Sequence, residues 1–181
     1  MIYLVRHGLD DESFIGGYSN VGLIDEGKMQ INEVGLWLKE NVKGINKIYT
    51  SDVKRAIESA NIINKYLTLE IIQTTELREL DKGLLNGMDK KEASIKFPDY
   101  IGVKDINIRY PNGESMKDLY ERIKKIDFNK YDNSIIVTHR GVINMLYVLL
   151  NNDELTMDKE KYGVIHASIH KLENKKIWRV K

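Results

Sequence analysis

Four short segments carry residues capable of chemistry directly after runs of apolar residues. Arg6-His7-Gly8 follows Ile2–Val5, and Ser51-Asp52, with Arg55 shortly after, follows Lys47–Thr50. Leu77-Arg78-Glu79-Leu80-Asp81 follows Glu70–Thr74, and His139-Arg140-Gly141 follows Ser134–Thr138. Short apolar runs read as buried strands, and in open α/β sheets ligands bind at the carboxyl ends of the strands. His7 and His139, Arg6 and Arg55, and Glu79 therefore converge on one sheet edge. Such a set suits a phosphoryl group, whose oxygens guanidinium forks and imidazole N–H groups can surround. A neutral imidazole is a nucleophile near neutral pH without a separate activating base. A carboxylic acid in a partly buried setting can protonate a departing alkoxide. The cations offset charge on the transferring group, so that role calls for no metal and no cofactor. Arginine is also scarce here, 7 of the 28 basic residues, so each one is informative about oxyanion binding.

These residues need a scaffold. Strands are expected at Ile2–Val5, Lys47–Thr50, Glu70–Thr74 and Ser134–Thr138. A hairpin of Val164–Leu172 and Lys176–Val180 follows, turning at Glu173-Asn174. The 3.6-residue period predicts helices at Glu26–Val42, Val53–Tyr66, Ser115–Ile126 and Val142–Leu150. Alternating strands and helices predict an α/β fold, a three-layer sandwich with a mostly parallel central sheet flanked by helices. The 181 residues read as one domain. The stretch of about 84–114 lacks a strong period, carries both prolines, and is expected to be a small cap insertion with local helix near Lys90–Phe97.

Composition excludes several classes. Twenty-eight basic and 27 acidic residues leave a net charge of +1, without the single-sign field of a general nucleic-acid binder. A hydrophobic fraction of 42% supports a sizeable core and rules out wholesale disorder. With no cysteine there is no disulfide, thiolate zinc site or cysteine nucleophile. No uncharged apolar run approaches the ~20 residues of a membrane span. The opening MIYLVRHG has no basic region before its apolar run and reads as a strand, not a signal peptide. The expectation is a cytoplasmic protein acting on a small phosphorylated substrate, without nucleic-acid or membrane partners. Oligomeric state is not written in these patterns.

Leu4-Val5-Arg6-His7-Gly8 resembles the opening motif of the histidine phosphatase (phosphoglycerate mutase-like) superfamily. The likeness continues in family order through Ser51–Ala56, Leu77–Gly83, Pro111–Ser115 and Val137–Gly141. The resemblance implies that His7 becomes the phosphohistidine and Glu79 is the proton donor. It implies that Arg6, Arg55 and His139 hold the phosphoryl oxygens, with Gly8 letting the backbone turn tightly beside them. Leu9-Asp10-Asp11-Glu12-Ser13 departs from the family's usual continuation, leaving Ser13, Tyr18 or Ser19 as substitute phosphate contacts. Arg140 stands where the family usually has glycine; it either turns outward or sits at the pocket rim, gripping a second anionic group. The chain is too short for the long insertions of the glycolytic mutases, which favours a phosphomonoester hydrolase. The rivals are a cofactor-dependent phosphoglycerate mutase and a non-catalytic phosphate-ligand binding or regulatory module.

Other features have plainer readings. Asp10-Asp11-Glu12 reads as a solvated acidic loop, since no spaced Asp/Gly metal-loop pattern accompanies it. His166 and His170 share a face of the expected strand, with nothing else there to make a metal site. Trp37 and Trp178 read as packing residues. Pro111-Asn112-Gly113 with Glu114-Ser115 reads as a turn leading into a helix.

Overall fold

The computed structural model describes residues 1–181 and contains six strands in one sheet, in the order β3-β2-β4-β1-β5-β6. The strands are β1 (Ile2–Arg6), β2 (Lys47–Ser51), β3 (Glu70–Thr74), β4 (Ser134–Thr138), β5 (Ile169–Glu173) and β6 (Lys176–Arg179). The first four run parallel, while β5 and β6 add an antiparallel edge beside β1. Central β1 and β4 are buried at every residue, because helices cover both faces of a parallel sheet.

The helices are α1 (Asp25–Asn41), α2 (Lys54–Leu67), α3 (Lys90–Lys96), α4 (Met116–Lys124) and α5 (Arg140–Asn151). Alternate strand residues divide the core in two. Tyr3, Val5, Ile135, Val137 and Ile169 pack with Ile31, Val34 and Leu38 of α1 and Ala56, Ala60 and Ile63 of α2. On the other face Leu4, Ile136 and Leu172 pack with Leu119 and Ile123 of α4 and Ile143 and Leu146 of α5. The fold is thus the expected three-layer α/β sandwich. Helix starts are written locally: Asp25 and Glu26 complement the positive end of α1, and Ser115 with Asp118 forms a capping box on α4.

The stretch 84–112 shares the α4–α5 core through Leu85, Ala93 and Tyr110, and its helix is α3. It is joined to the loop after β1 by backbone bonds from Ile15 N–H to the Met88 carbonyl and from Lys90 N–H to the Ser13 carbonyl. Two expectations at the C-terminal hairpin need correction. Its turn falls at Asn174-Lys175, both with positive φ (51° and 60°), as a two-residue type I′ turn requires. Its first strand begins at Ile169 instead of Val164. Ser168 N–H returns to the Ile165 carbonyl, Ala167 takes φ 58°, and Arg6 binds the Val164 carbonyl at 2.8 Å, so residues 164–168 form a turn. No helix is long and apolar enough to cross a membrane.

Candidate active site

Strand register brings the two candidate histidines together. Arg6 pairs with Thr138 across β1 and β4, so the next residue of each strand faces its counterpart. His7 N–H donates to the Thr138 carbonyl at 3.0 Å, and the His7 and His139 rings lie 5.1 Å apart. His139, extended at the N-cap of α5, accompanies Ser51 at the end of β2, with 2.8 Å between Nε2 and Ser51 Oγ.

Arg55, in the first turn of α2, fixes the state of His7. Its Nε donates to His7 Nε2 at 3.1 Å, while Nη1 reaches Ser19 Oγ at 3.0 Å and Nη2 reaches the Gly17 carbonyl at 2.9 Å. His7 Nδ1 lies 2.8 Å from the Gly8 carbonyl, an acceptor, so Nδ1 carries the proton and Nε2 keeps a lone pair. Burial, then the positive charge of Arg55, holds His7 well below the ordinary histidine value. The imidazole is therefore neutral and nucleophilic at Nε2. His139 is lowered by the same two causes. Arg6 is pushed down to about 10 by burial and by Arg140. Arg6 Nε and His139 Nδ1 are buried without a partner, two nitrogens with hydrogen-bonding capacity left over.

Glu79 follows β3 and is steered by backbone: Oε1 accepts from Leu80 N–H at 2.9 Å and Oε2 from Gly141 N–H at 3.1 Å. A Cβ on Gly141 would lie 2.0 Å from Glu79 Oε1, so glycine is what admits the carboxylate to the start of α5. Arg140 itself is an ordinary helical residue, and the close approach expected at that position falls one residue later. Gly8 likewise has no positive φ. It is needed because a Cβ would lie 2.4 Å from the Gly27 carbonyl of α1, a packing demand in place of the expected tight turn. Arg122 of α4 holds the Glu79 segment. It binds both oxygens of Glu114 (2.8 and 3.0 Å) and the carbonyls of Glu76, Arg78 and Glu79 at 3.0–3.1 Å. Arginine scarcity was the one sequence signal for it.

Arg6, His7, Arg55, Glu79 and Arg140 line one cleft of about 240 Å³. His139 and Gly8 are buried behind it. Ser13 lies outside, its exposed hydroxyl donating to Asp11 at 2.6 Å, and Tyr18 stacks beneath Arg78, 4.9 Å from the guanidinium carbon. Arg78 is itself tied to Asp52. Ser19, of the three substitutes considered, reaches the site, through Arg55. Arg140 Nη1 pairs with Glu160 at 2.8 Å while its side chain borders the cleft.

His166, which the strand reading missed, and Asp10, expected in a solvated acidic loop but largely buried here, also line the cleft. In the turn before β5, His166 brings Nε2 to 2.6 Å from Arg6 Nη2 and its ring to 5.5 Å from His7. Asp10 lies 3.5 Å from Arg55 Nε and 3.7 Å from His166. His170 instead points into the core, bonded to Tyr147 and Ser168 at 2.9 Å each and lowered to about 4 by burial. His7, Asp10 and His166 bring their ligand atoms within 4.8 Å of one another. The same atoms face the guanidinium groups of Arg6 and Arg55, which oppose a divalent cation and favour an anion.

The family model described as the histidine phosphatase superfamily (branch 1) matches residues 2–178. The uncharacterized phosphatase PhoE of Bacillus subtilis is 30% identical, with 99% of this chain and 92% of PhoE covered. The 6-phosphofructo-2-kinase/fructose-2,6-bisphosphatase of Aquarana catesbeiana is 28% identical over 80% of this chain, which spans only 31% of that longer protein. Among solved structures, the alpha-ribazole phosphatase of Shigella flexneri superposes with a TM-score of 0.81 at 19% identity, covering 98% of this chain and 93% of its own.

Proposed function

Since the chain belongs to the histidine phosphatase superfamily, branch 1, we propose that it hydrolyses a small phosphomonoester through a phosphohistidine, without a metal ion. The observation that carries this reading is the fixed lone pair on His7 Nε2, flanked by Arg6 and Arg55 in the cleft that Glu79 also lines. Nε2 attacks phosphorus in line with the ester oxygen, forming an N–P bond as the P–O bond breaks. Arg6, Arg55 and His139 hold the three non-bridging oxygens. Glu79, protonated, gives its proton to the departing alkoxide and is left as carboxylate. That carboxylate then takes a proton from water as the water attacks phospho-His7. Inorganic phosphate leaves, and His7 and the acid are restored.

In this reading the chain acts as one domain, with residues of about 84–114 as a cap over the cleft, and needs no cofactor. The partner is a small cytoplasmic metabolite, not nucleic acid or a membrane. PhoE being a phosphatase supports the reaction class.

The test is rapid quench with a radiolabelled aryl phosphate. Label is expected on wild-type protein in an acid-labile, alkali-stable bond and absent from His7→Ala, which should lose nearly all turnover. Activity should also survive dialysis against a chelator. Substantial turnover by His7→Ala, product isomerisation in place of phosphate release, or a chelator loss restored by Mg²⁺ or Mn²⁺ would each overturn the corresponding part.

A further inference from the structure

Arg6 and Arg55 flank His7, and the two are held in different ways. Arg55 is fixed by the Gly17 carbonyl, the Ser19 hydroxyl and His7 itself, with Asp10 3.5 Å from its Nε. The Arg6 side chain is fixed entirely by the turn 164–168. Its Nη1 donates to the Val164 carbonyl at 2.8 Å, and its Nη2 lies 2.6 Å from His166 Nε2. Guanidinium nitrogens only donate, so Nε2 is the acceptor and the His166 ring is neutral, with its proton on Nδ1. Asp10 Oδ1, 3.7 Å from the same nitrogen, is beyond hydrogen-bond distance.

The turn that presents His166 is itself fastened. Arg6 N–H donates to the Ser168 carbonyl at 3.1 Å, and Ala167 N–H donates to the His7 carbonyl at 3.2 Å. The turn is thereby sewn to the strand end that carries the nucleophile. The Ser168 hydroxyl gives its proton to the Ile165 carbonyl at 2.7 Å, so it accepts from His170 Nε2 at 2.9 Å. His170 Nδ1 then accepts from the Tyr147 hydroxyl at 2.9 Å. Every donor in this buried chain has its acceptor, which leaves the turn one arrangement.

The choice of acceptors has an electrostatic consequence. A carboxylate bonded to Arg6 would orient the guanidinium but cancel the charge that a phosphoryl dianion needs. A backbone carbonyl and a neutral imidazole orient it and leave the cation intact. Arg6, lowered only to about 10, keeps its charge near neutral pH. Its remaining N–H groups, that of the buried and unpartnered Nε among them, are free for another acceptor. The His166 ring stands 5.5 Å from that of His7, so this orientation is set beside the attacking nitrogen.

We infer that His166 is a positioning residue for phosphoryl transfer: its Nε2 lone pair aims the Arg6 guanidinium at the phosphoryl group without neutralising it. This inference rests on the hydrolase reading above, and His166 acts through Arg6, not on the reacting atoms.

Three substitutions test its parts. His166→Gln keeps a neutral acceptor in place of Nε2, His166→Glu keeps an acceptor but adds negative charge, and His166→Leu removes the acceptor. With p-nitrophenyl phosphate, His166→Leu should lower kcat/KM about tenfold or more and raise the inhibition constant of inorganic phosphate by a similar factor. His166→Gln should stay within about threefold of wild type, and His166→Glu should fall about tenfold or more below it. Combined with Arg6→Ala, His166→Leu should add less than about a twofold loss, because the group it positions is gone. Full activity of His166→Leu, a Gln variant no better than Leu, a Glu variant equal to Gln, or losses that multiply in the double variant would each overturn the assignment. Calorimetric titration with inorganic phosphate reads the same order of affinities without turnover. No turnover of any monoester by the wild type sinks the hydrolase reading, while the order of phosphate affinities still decides the role of His166.

Discussion

At the scale of single residues, the site assigns different tasks to groups that look interchangeable in the sequence. Two histidines end adjacent strands, yet His7 presents a lone pair fixed by Arg55 and the Gly8 carbonyl, while His139 is turned to Ser51. Glu76, Glu79 and Asp81 crowd one loop. Glu76 is bound to Tyr131 and Lys130, and Asp81 accepts from Gly83 N–H, leaving Glu79 as the one that lines the cleft. If Glu79 is the acid, its loss should be felt where the leaving group needs a proton. Glu79→Gln should lower kcat/KM for an alkyl phosphate by about a hundredfold or more, a magnitude usual for general acid catalysis. p-Nitrophenyl phosphate, whose anion departs readily, should lose far less. Equal losses on both substrates would make Glu79 a positioning residue.

At the scale of elements, the junctions between strands and helices carry the chemistry, and two glycines show how tightly those junctions are built. Gly8 meets backbone: its Cβ would approach the Gly27 carbonyl to 2.4 Å, and neither chain can yield without moving β1 against α1. Gly141 meets the end of a flexible side chain, Glu79 Oε1 at 2.0 Å, with Leu119 Cδ2 at 3.0 Å. The two substitutions should therefore fail differently. Gly8→Ala should cost about 2–4 kcal/mol of stability in chemical denaturation, as overpacking against backbone does. Gly141→Ala should stay within about 1 kcal/mol of wild type, since alanine suits a helix, yet lose alkyl phosphatase activity as Glu79 is displaced. A Gly141→Ala protein with full activity would show that Glu79 tolerates another rotamer.

At the scale of the molecule, three buried histidines make stability depend on pH. His7 and His139 are held well below the ordinary histidine value, and His170 is lowered to about 4, burial being the first cause in each. The unfolded chain takes up these protons as pH falls below about 6.5, while the folded chain does not. Stability is fully present above that value and is lost as pH falls towards 4. Each such proton contributes about 1.4 kcal/mol per pH unit at most. Denaturant titrations should therefore show unfolding free energy declining steeply between about pH 6 and pH 4. His170→Asn should make the decline shallower by about one proton's worth of slope. An unchanged slope would mean that His170 takes up its proton in the folded state.

Patterns along the chain are enough to specify a mostly parallel sheet with its first four strands, the helices to within about two residues at each end, and the convergence of Arg6, His7, Arg55, Glu79 and His139. Those features are local. Apolar runs and helical periods mark the elements, and parallel βα topology carries each strand end to the same edge. Whatever depends on approach through space emerged only in the folded chain. Val164–Ser168 looks like a continuation of β5, but the Arg6 guanidinium takes the Val164 carbonyl and turns His166 into the cleft. Arg122 of α4 and Glu114 in the turn before it close around the Glu79 segment only in the folded chain. Lys82 and Lys159 stand 77 positions apart in the chain and come to one cleft only once the loop after β3 meets the loop after α5. Hydrogen bonds and charge clusters of this kind join residues without any shared period, so no pattern along the chain announces them.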